Sequence, residues 1–152
     1  MTLNSLISKN QIKLRLSSTD QEAVISEMVD FAVTQFKINK EWGASWKTAL
    51  MEREKEFSTG IGSGVAIPHA FSDQIEETVI VMGCSAEGVN FETLDSQPVQ
   101  VVVLFISPQD EFQMHLHVLA AIGKSFKNSG LINSIMKLNS EEEILELIKS
   151  KG

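Results

Sequence analysis

The 152-residue sequence predicts a three-layer α/β sandwich, a mixed central β-sheet flanked by helices. Three observations carry that prediction. Residues 99–106 form the most strongly β-favouring run in the chain, which suits a central strand. Residues 78–84 are apolar on both faces, as in an interior strand that is covered on both sides. Helix-period segments lie before, between and after these runs, without a repeat of about 30 residues and without a linker or low-complexity stretch. One domain over residues 1–152 follows, with a hydrophobic fraction of 43%, ordinary for a globular core of this size.

The elements read in order. Residues 11–16 alternate apolar and polar side chains, the pattern of a half-buried strand. Thr19 with Glu22 three positions on forms a capping box, placing a helix start there. That helix carries Val24, Ile25, Met28, Val29, Ala32 and Phe36 on one face. Asn39 starts the next helix, where Trp42, Trp46, Ala49 and Leu50 share a stripe that reads as core. Arg53 continues the stripe one turn further, toward a glycine-rich loop. Residues 72–77 are a polar connection, residues 88–91 a short extended piece and residues 94–98 a turn. Pro108 ends the central strand and opens a helix whose apolar stripe is Phe112, Leu116, Leu119, Ile122 and Phe126, with His115 between the first two. His117 lies about 200° around that helix from His115, on a different, exposed face. Leu131, Ile132, Ile135 and Met136 support a short helix. Ser140 with Glu143 caps a last one carrying Ile144, Leu145 and Ile148.

Composition excludes several functions. A formal net charge of −7 argues against a general nucleic-acid or anionic-membrane binder. No run of about 18 apolar residues predicts membrane insertion, and residues 1–6 lack the charged and apolar regions of a signal peptide. The one cysteine, Cys84, forms no internal disulfide. Together these predict a cytoplasmic protein.

The richest stretch is residues 58–70. Gly60, Gly62 and Gly64 alternate, which rules out a stable helix and argues for a tight loop. Val65, Ala66 and Ile67 then read as a buried strand, and Pro68 ends it. His69 stands where that strand leaves the core, beside a loop whose backbone N–H groups suit an anion. A nucleophilic ring next to an anion cradle points to phosphoryl chemistry on His69.

The motif formed by Arg53, Glu54, Ser58, Thr59, Gly60, Ile61, Gly62, Ser63, Gly64, Val65, Ala66, Ile67, Pro68 and His69 resembles the phosphorylation site of the fructose/mannitol-type IIA proteins of the bacterial phosphoenolpyruvate:sugar phosphotransferase system. His115, Leu116, His117, Val118 and Leu119 supply a second match, and the order of elements fits along nearly the whole chain. The His-Leu-His-x-Leu form and the run at Asp95, Ser96, Gln97, Pro98 and Val99 look most like the nitrogen-regulatory branch. The resemblance implies a phosphotransferase component that needs no cofactor or metal. It implies that His69 takes the phosphoryl group, that His115 hydrogen-bonds its oxygens and that Arg53 balances its charge. Thr59, Gly60, Gly62, Ser63 and Gly64 would form the phosphoryl-binding loop. The implied partners are HPr or a nitrogen-type HPr-like carrier, and a IIB domain or regulatory target proteins. With no IIB or membrane IIC segment among these residues the regulatory role is the expectation, although free-standing sugar-specific IIA proteins exist and sugar uptake stays open.

The sequence departs from that family in having Ser63 where Asn is common, and Ala70 and Phe71 where Gly or a basic residue is common. An exposed Phe71 adds an apolar docking contact; a buried one is ordinary core. Arg53 has a second reading, an ion pair with Glu52, Glu54 or Glu56. A metallohydrolase is disfavoured because His115 and His117 do not share a helix face. A thiol hydrolase is disfavoured because Cys84 sits in an apolar strand pattern. The glycine run matches neither the P-loop nor the dinucleotide fingerprint.

Overall fold

A computed structural model describes residues 1–56, 59–93, 95–127 and 130–151, so Ser58 and Leu94 of the stretches above lie outside the described residues. In chain order the elements are α1 (Leu3–Leu6), β1 (Ile12–Lys13), α2 (Gln21–Phe36), α3 (Lys40–Glu56), β2 (Gly60–Gly62), β3 (Val65–Ala66), β4 (His69–Ser72), β5 (Val79–Val89), β6 (Val99–Pro108), α4 (Phe112–Lys127), α5 (Gly130–Met136) and α6 (Glu141–Lys151). The described strands form one sheet in the order β1-β5-β6-β3-β2, with β4 also pairing β6. Pairing is parallel for β1 with β5 and for β3 and β4 with β6, and antiparallel for β5 with β6 and β2 with β3. The sheet is therefore mixed, and β6 is central, as its composition requires.

Alternation along the strands feeds two cores. Ile67, Val103 and Phe105 pack with Leu3, Val118, Ile122, Ile135 and Ile144 from α1, α4, α5 and α6. Ala66, Val102 and Leu104 pack with Val24, Met28, Val29, Trp46 and Leu50 from α2 and α3 on the other face. The buried Trp46 also donates its indole N–H to Ser72 Oγ at 3.1 Å, tying α3 to the end of β4.

Several boundaries differ from the sequence reading. The strand over residues 11–16 shrinks to β1, because Gln11 closes a 3₁₀ turn and donates its side chain to Leu6 O and Ile80 O. The Glu27 carboxylate draws away the amides of Ser17 and Ser18. The cap of α2 is Asp20, which accepts from Ala23 N at 2.9 Å; Thr19 instead gives its carbonyl to Asn90 N. Asn39 does precede α3 and accepts from Glu41 N at 2.8 Å. In α4 the buried line is His115, Val118, Ala121, Ile122 and Phe126, while Phe112 and Leu116 are 59% and 46% exposed. The helix is turned by about one residue relative to the expected stripe, which brings His115 onto the sheet.

Candidate functional site

Register builds the site. The sequence places a strand end at Pro68, yet β4 begins at His69 and continues the alignment of β3 along β6: Val65 opposite Val101, Ala66 opposite Val102, His69 opposite Phe105 and Phe71 opposite Ser107. Proline only interrupts the ladder. It lacks an N–H, but its carbonyl still accepts from Phe105 N at 3.0 Å. With a side-chain period of two, His69, Phe71, Phe105 and Ser107 share the face of Ile67 and Val103, the face covered by α4. The first turns of α4 then lower His115 onto this group, toward the carboxyl end of β6.

His69 is 8% exposed and His115 3%. Their ring centroids are 5.2 Å apart. Phe105 stacks on His69 at 5.4 Å and meets His115 at 4.8 Å, while Phe71 stacks on His115 at 4.1 Å. His69 Nδ1 lies 2.6 Å from Ile67 O, and a carbonyl only accepts, so this nitrogen carries the proton and Nε2 of the neutral ring bears a lone pair. Burial lowers the His69 pKa, the bond to Ile67 O opposes the shift, and the Arg53 charge adds to it. Burial, with the nearby His69 and Arg53 charges, pushes His115 down to about 4. Both rings are therefore neutral near pH 7. His115 Nδ1 lies 2.7 Å from Ser107 Oγ, and its buried Nε2 has no hydrogen-bond partner among the described residues.

Arg53 and the loop border this group. Arg53 is exposed and makes no ion pair with Glu52, Glu54 or Glu56 among the described residues. Its charge reaches both histidines. Glu54, not Arg53, is the residue buried beyond Leu50, at 8% exposed. Its carboxylate accepts from Thr59 N, Thr59 Oγ1 and Gln21 Nε2, so it anchors the start of the loop. Gly62, Ser63 and Gly64 all take positive φ, making the tight turn between β2 and β3. The amide of Ser63 donates to Asp95 Oδ2 at 2.8 Å. The amide of Ser63, expected to face an incoming anion, thus binds the chain's own Asp95 carboxylate, and the Thr59 amide binds that of Glu54. Gly60 is required by close approach: a Cβ there would lie 2.6 Å from Glu92 O.

The rim is apolar. Phe71 is half-buried and lies 6.2 Å from Phe112, and Ile61, Phe112, Met114 and Leu116 are exposed. His117 is exposed, as its position on the helix predicts. Cys84 is buried in β5, where burial pushes its thiol up to about 12. Among the described residues no three His, Cys, Asp or Glu side chains are grouped to hold a metal ion. Sequence reasoning missed Ser107, Phe105 and Glu54 as members of the site. The alternation of β6 could have placed Phe105 and Ser107 on one face; nothing local marks Glu54 as buried.

Residues 5–151 match the family described as "Phosphoenolpyruvate-dependent sugar phosphotransferase system, EIIA 2". The PTS system fructose-specific EIIABC component of Bacillus subtilis (strain 168) is 32% identical over 97% of this chain, which spans 23% of that relative's length. The nitrogen regulatory protein of Escherichia coli (strain K12) is 25% identical over 97% of this chain and 90% of its own. The crystal structure of nitrogen regulatory protein IIA-Ntr from Neisseria meningitidis superposes with a TM-score of 0.85 at 24% identity, over 96% of this chain and 98% of that one. The IIA mannitol enzyme of E. coli, in its complex with phosphorylated IIB, gives 0.77 at 21% identity, over 95% and 97%. The solved structures bear out the mixed-sheet α/β fold.

Proposed function

The chain belongs to the EIIA type-2 family of the phosphoenolpyruvate-dependent sugar phosphotransferase system, and from that premise we propose that it is a phosphohistidine carrier charged on His69 by HPr or a nitrogen-type HPr-like protein. The single observation that carries this reading is the bond from His69 Nδ1 to Ile67 O, which leaves Nε2 as the nucleophile. The Nε2 lone pair attacks phosphorus on the donor phosphohistidine. The N–P bond to the donor breaks, its electron pair returns to the donor ring, and the phosphoryl group ends on His69. Transfer onward reverses these events with an acceptor group. His115 Nε2 supplies a hydrogen bond to a phosphoryl oxygen, and Arg53 balances the charge spread over these oxygens in a loose transition state. Thr59, Gly60, Gly62, Ser63 and Gly64 shape the wall of the site. They leave the charge to the side chains, since Thr59 N and Ser63 N are committed to Glu54 and Asp95.

The carrier works in nitrogen-type regulation in this reading, supported by the His-Leu-His-x-Leu run at residues 115–119 and by the nitrogen regulatory relative. About two added negative charges on an apolar rim then select the regulatory target protein that docks. A second reading, relay to a IIB domain for fructose- or mannitol-type uptake, is favoured by the fructose-specific relative. A mannitol IIA enzyme is known in complex with phosphorylated IIB. Either role is a cytoplasmic one, and among the described residues no helix is long and apolar enough to cross a membrane.

The test is phosphoenolpyruvate with enzyme I and either HPr or a nitrogen-type carrier, followed by intact mass. Wild type gains one phosphate, His69→Ala none, and His115→Ala and Arg53→Ala are charged slowly. Faster charging by the nitrogen-type carrier supports the regulatory branch; faster charging by HPr with transfer to IIB supports uptake. An unlabelled wild type with both carriers refutes the carrier reading.

A further inference from the structure

We propose that Ser107 is a positioning residue that locks His115 in the tautomer opposite to that of His69, so that the dyad presents one bare Nε2 and one Nε2–H. Ser107 is fully buried at the end of β6, and its hydroxyl lies 2.7 Å from His115 Nδ1. Two assignments of the shared proton are possible, and counting donors separates them. If Nδ1–H donated, the serine proton would be stranded, because Oγ has no other partner among the described residues, and the lone pair of the buried Nε2 would be stranded too. If the hydroxyl donates, Nδ1 and Oγ–H satisfy each other and only Nε2–H is left over. An unmade buried hydrogen bond is costly, so the second arrangement prevails.

The left-over donor is then the one fully buried side-chain nitrogen or oxygen without a hydrogen-bond partner among the described residues, and it is a group that an anionic oxygen satisfies. His69 is fixed the other way, by a carbonyl that only accepts. With centroids 5.2 Å apart and two neutral rings, the pair holds a nucleophile beside a hydrogen-bond donor without a formal charge on either. Arg53 remains the cation of the site. The consequence for phosphoryl transfer rests on the carrier reading above; the tautomer assignment does not.

The experiment is long-range ¹H–¹⁵N correlation of the imidazole nitrogens in wild type and Ser107→Ala at neutral pH, beside the rate of charging by phosphorylated HPr and by the phosphorylated nitrogen-type carrier. In wild type, His115 shows a protonated Nε2 and a hydrogen-bonded, bare Nδ1, while His69 shows the reverse. In Ser107→Ala, the His115 Nδ1 resonance moves to the position of a free lone-pair nitrogen or of a protonated one. His69 keeps its pattern, which reports an intact fold, and charging slows by about fivefold, the factor carried by one net hydrogen bond. Protonated Nδ1 on His115 in wild type overturns the proposal, as does a Ser107→Ala spectrum and rate identical to wild type. A wild type with the stated tautomers that takes no phosphate counts against the carrier reading alone and leaves Ser107 as the residue that sets His115.

Discussion

Replacing His115 with glutamine should make the fold less sensitive to acid. His115 is 3% exposed, walled by Phe71 and Phe105, and its pKa is pushed down to about 4 by burial and by the His69 and Arg53 charges. In the unfolded chain the ring titrates near its ordinary 6.5. Between these values the unfolded state binds the proton and the folded state does not, so stability falls as pH falls. The loss begins near the unfolded pKa and is complete once the folded ring protonates. One proton costs about 1.4 kcal/mol per pH unit, so the full window is worth about 3 kcal/mol, and the part between pH 6.5 and pH 5 about 2 kcal/mol. The assay is urea unfolding of wild type and His115→Gln at pH 7.5 and pH 5. Wild type should lose about 2 kcal/mol more than the variant over that interval. His69 is depressed in the same direction but is present in both proteins, so it largely cancels in the difference. Parallel pH dependences would refute the reasoning, since His115 would then be protonating in the fold as readily as in water.

Two further substitutions probe the loop. Glu54→Ala strips the acceptor from Thr59 N, Thr59 Oγ1 and Gln21 Nε2, and with Thr59 buried it should cost about 3 kcal/mol in chemical denaturation. Glu54→Gln keeps an acceptor and mimics the protonated acid that burial favours, so it should stay within about 1 kcal/mol of wild type; equal losses in the two variants would dismiss the hydrogen bonds as the cause. Gly60→Ala forces a Cβ to 2.6 Å from Glu92 O and from Thr93 Cγ2, which should cost about 2 kcal/mol by the same assay.

How far the sequence could be read depended on the range of the force that fixed each feature. Strand alternation and helix period are local, and they placed β5, β6, α2, α3 and α6 in a mixed sheet between two helical layers. The face of α4 was ambiguous for a local reason: Phe112, Met114, Leu116 and Leu119 spread apolar side chains around its first turns, so periodicity alone did not choose between the lines through Phe112 and through His115. Packing on Phe105 and Phe71 chose. Pro68 was read as a strand end because the missing N–H is a local fact, whereas the partner strand that still uses its carbonyl is 37 residues away in sequence at Phe105. The choice between Arg53 and Glu54 was beyond local reading altogether. Neither belongs in a core by hydropathy, and Glu54 is buried because Thr59 and Gln21 bring donors to it.

The same long-range contacts decide where the site's positive potential comes from. Three residues of positive φ in a row could line up their amides toward an outside anion. Here the Ser63 amide turns to Asp95, and the Asp95 carboxylate also accepts from Gln97 N and Thr93 Oγ1, so it is held firmly in place. The Ser63 amide is thereby committed within the chain, as the Thr59 amide is to Glu54. Under the proposed carrier reading, two side-chain groups are left to meet a phosphoryl group: the exposed Arg53 guanidinium and His115 Nε2, neither of which has an ion-pair or hydrogen-bond partner among the described residues. In a chain of net charge −7, that reading rests the attraction for an anion on these two groups, whose charge or ring reaches His69. Substitutions at these two positions should therefore weigh more on the chemistry than substitutions in the conspicuous glycine run, whose work is to hold the wall in shape.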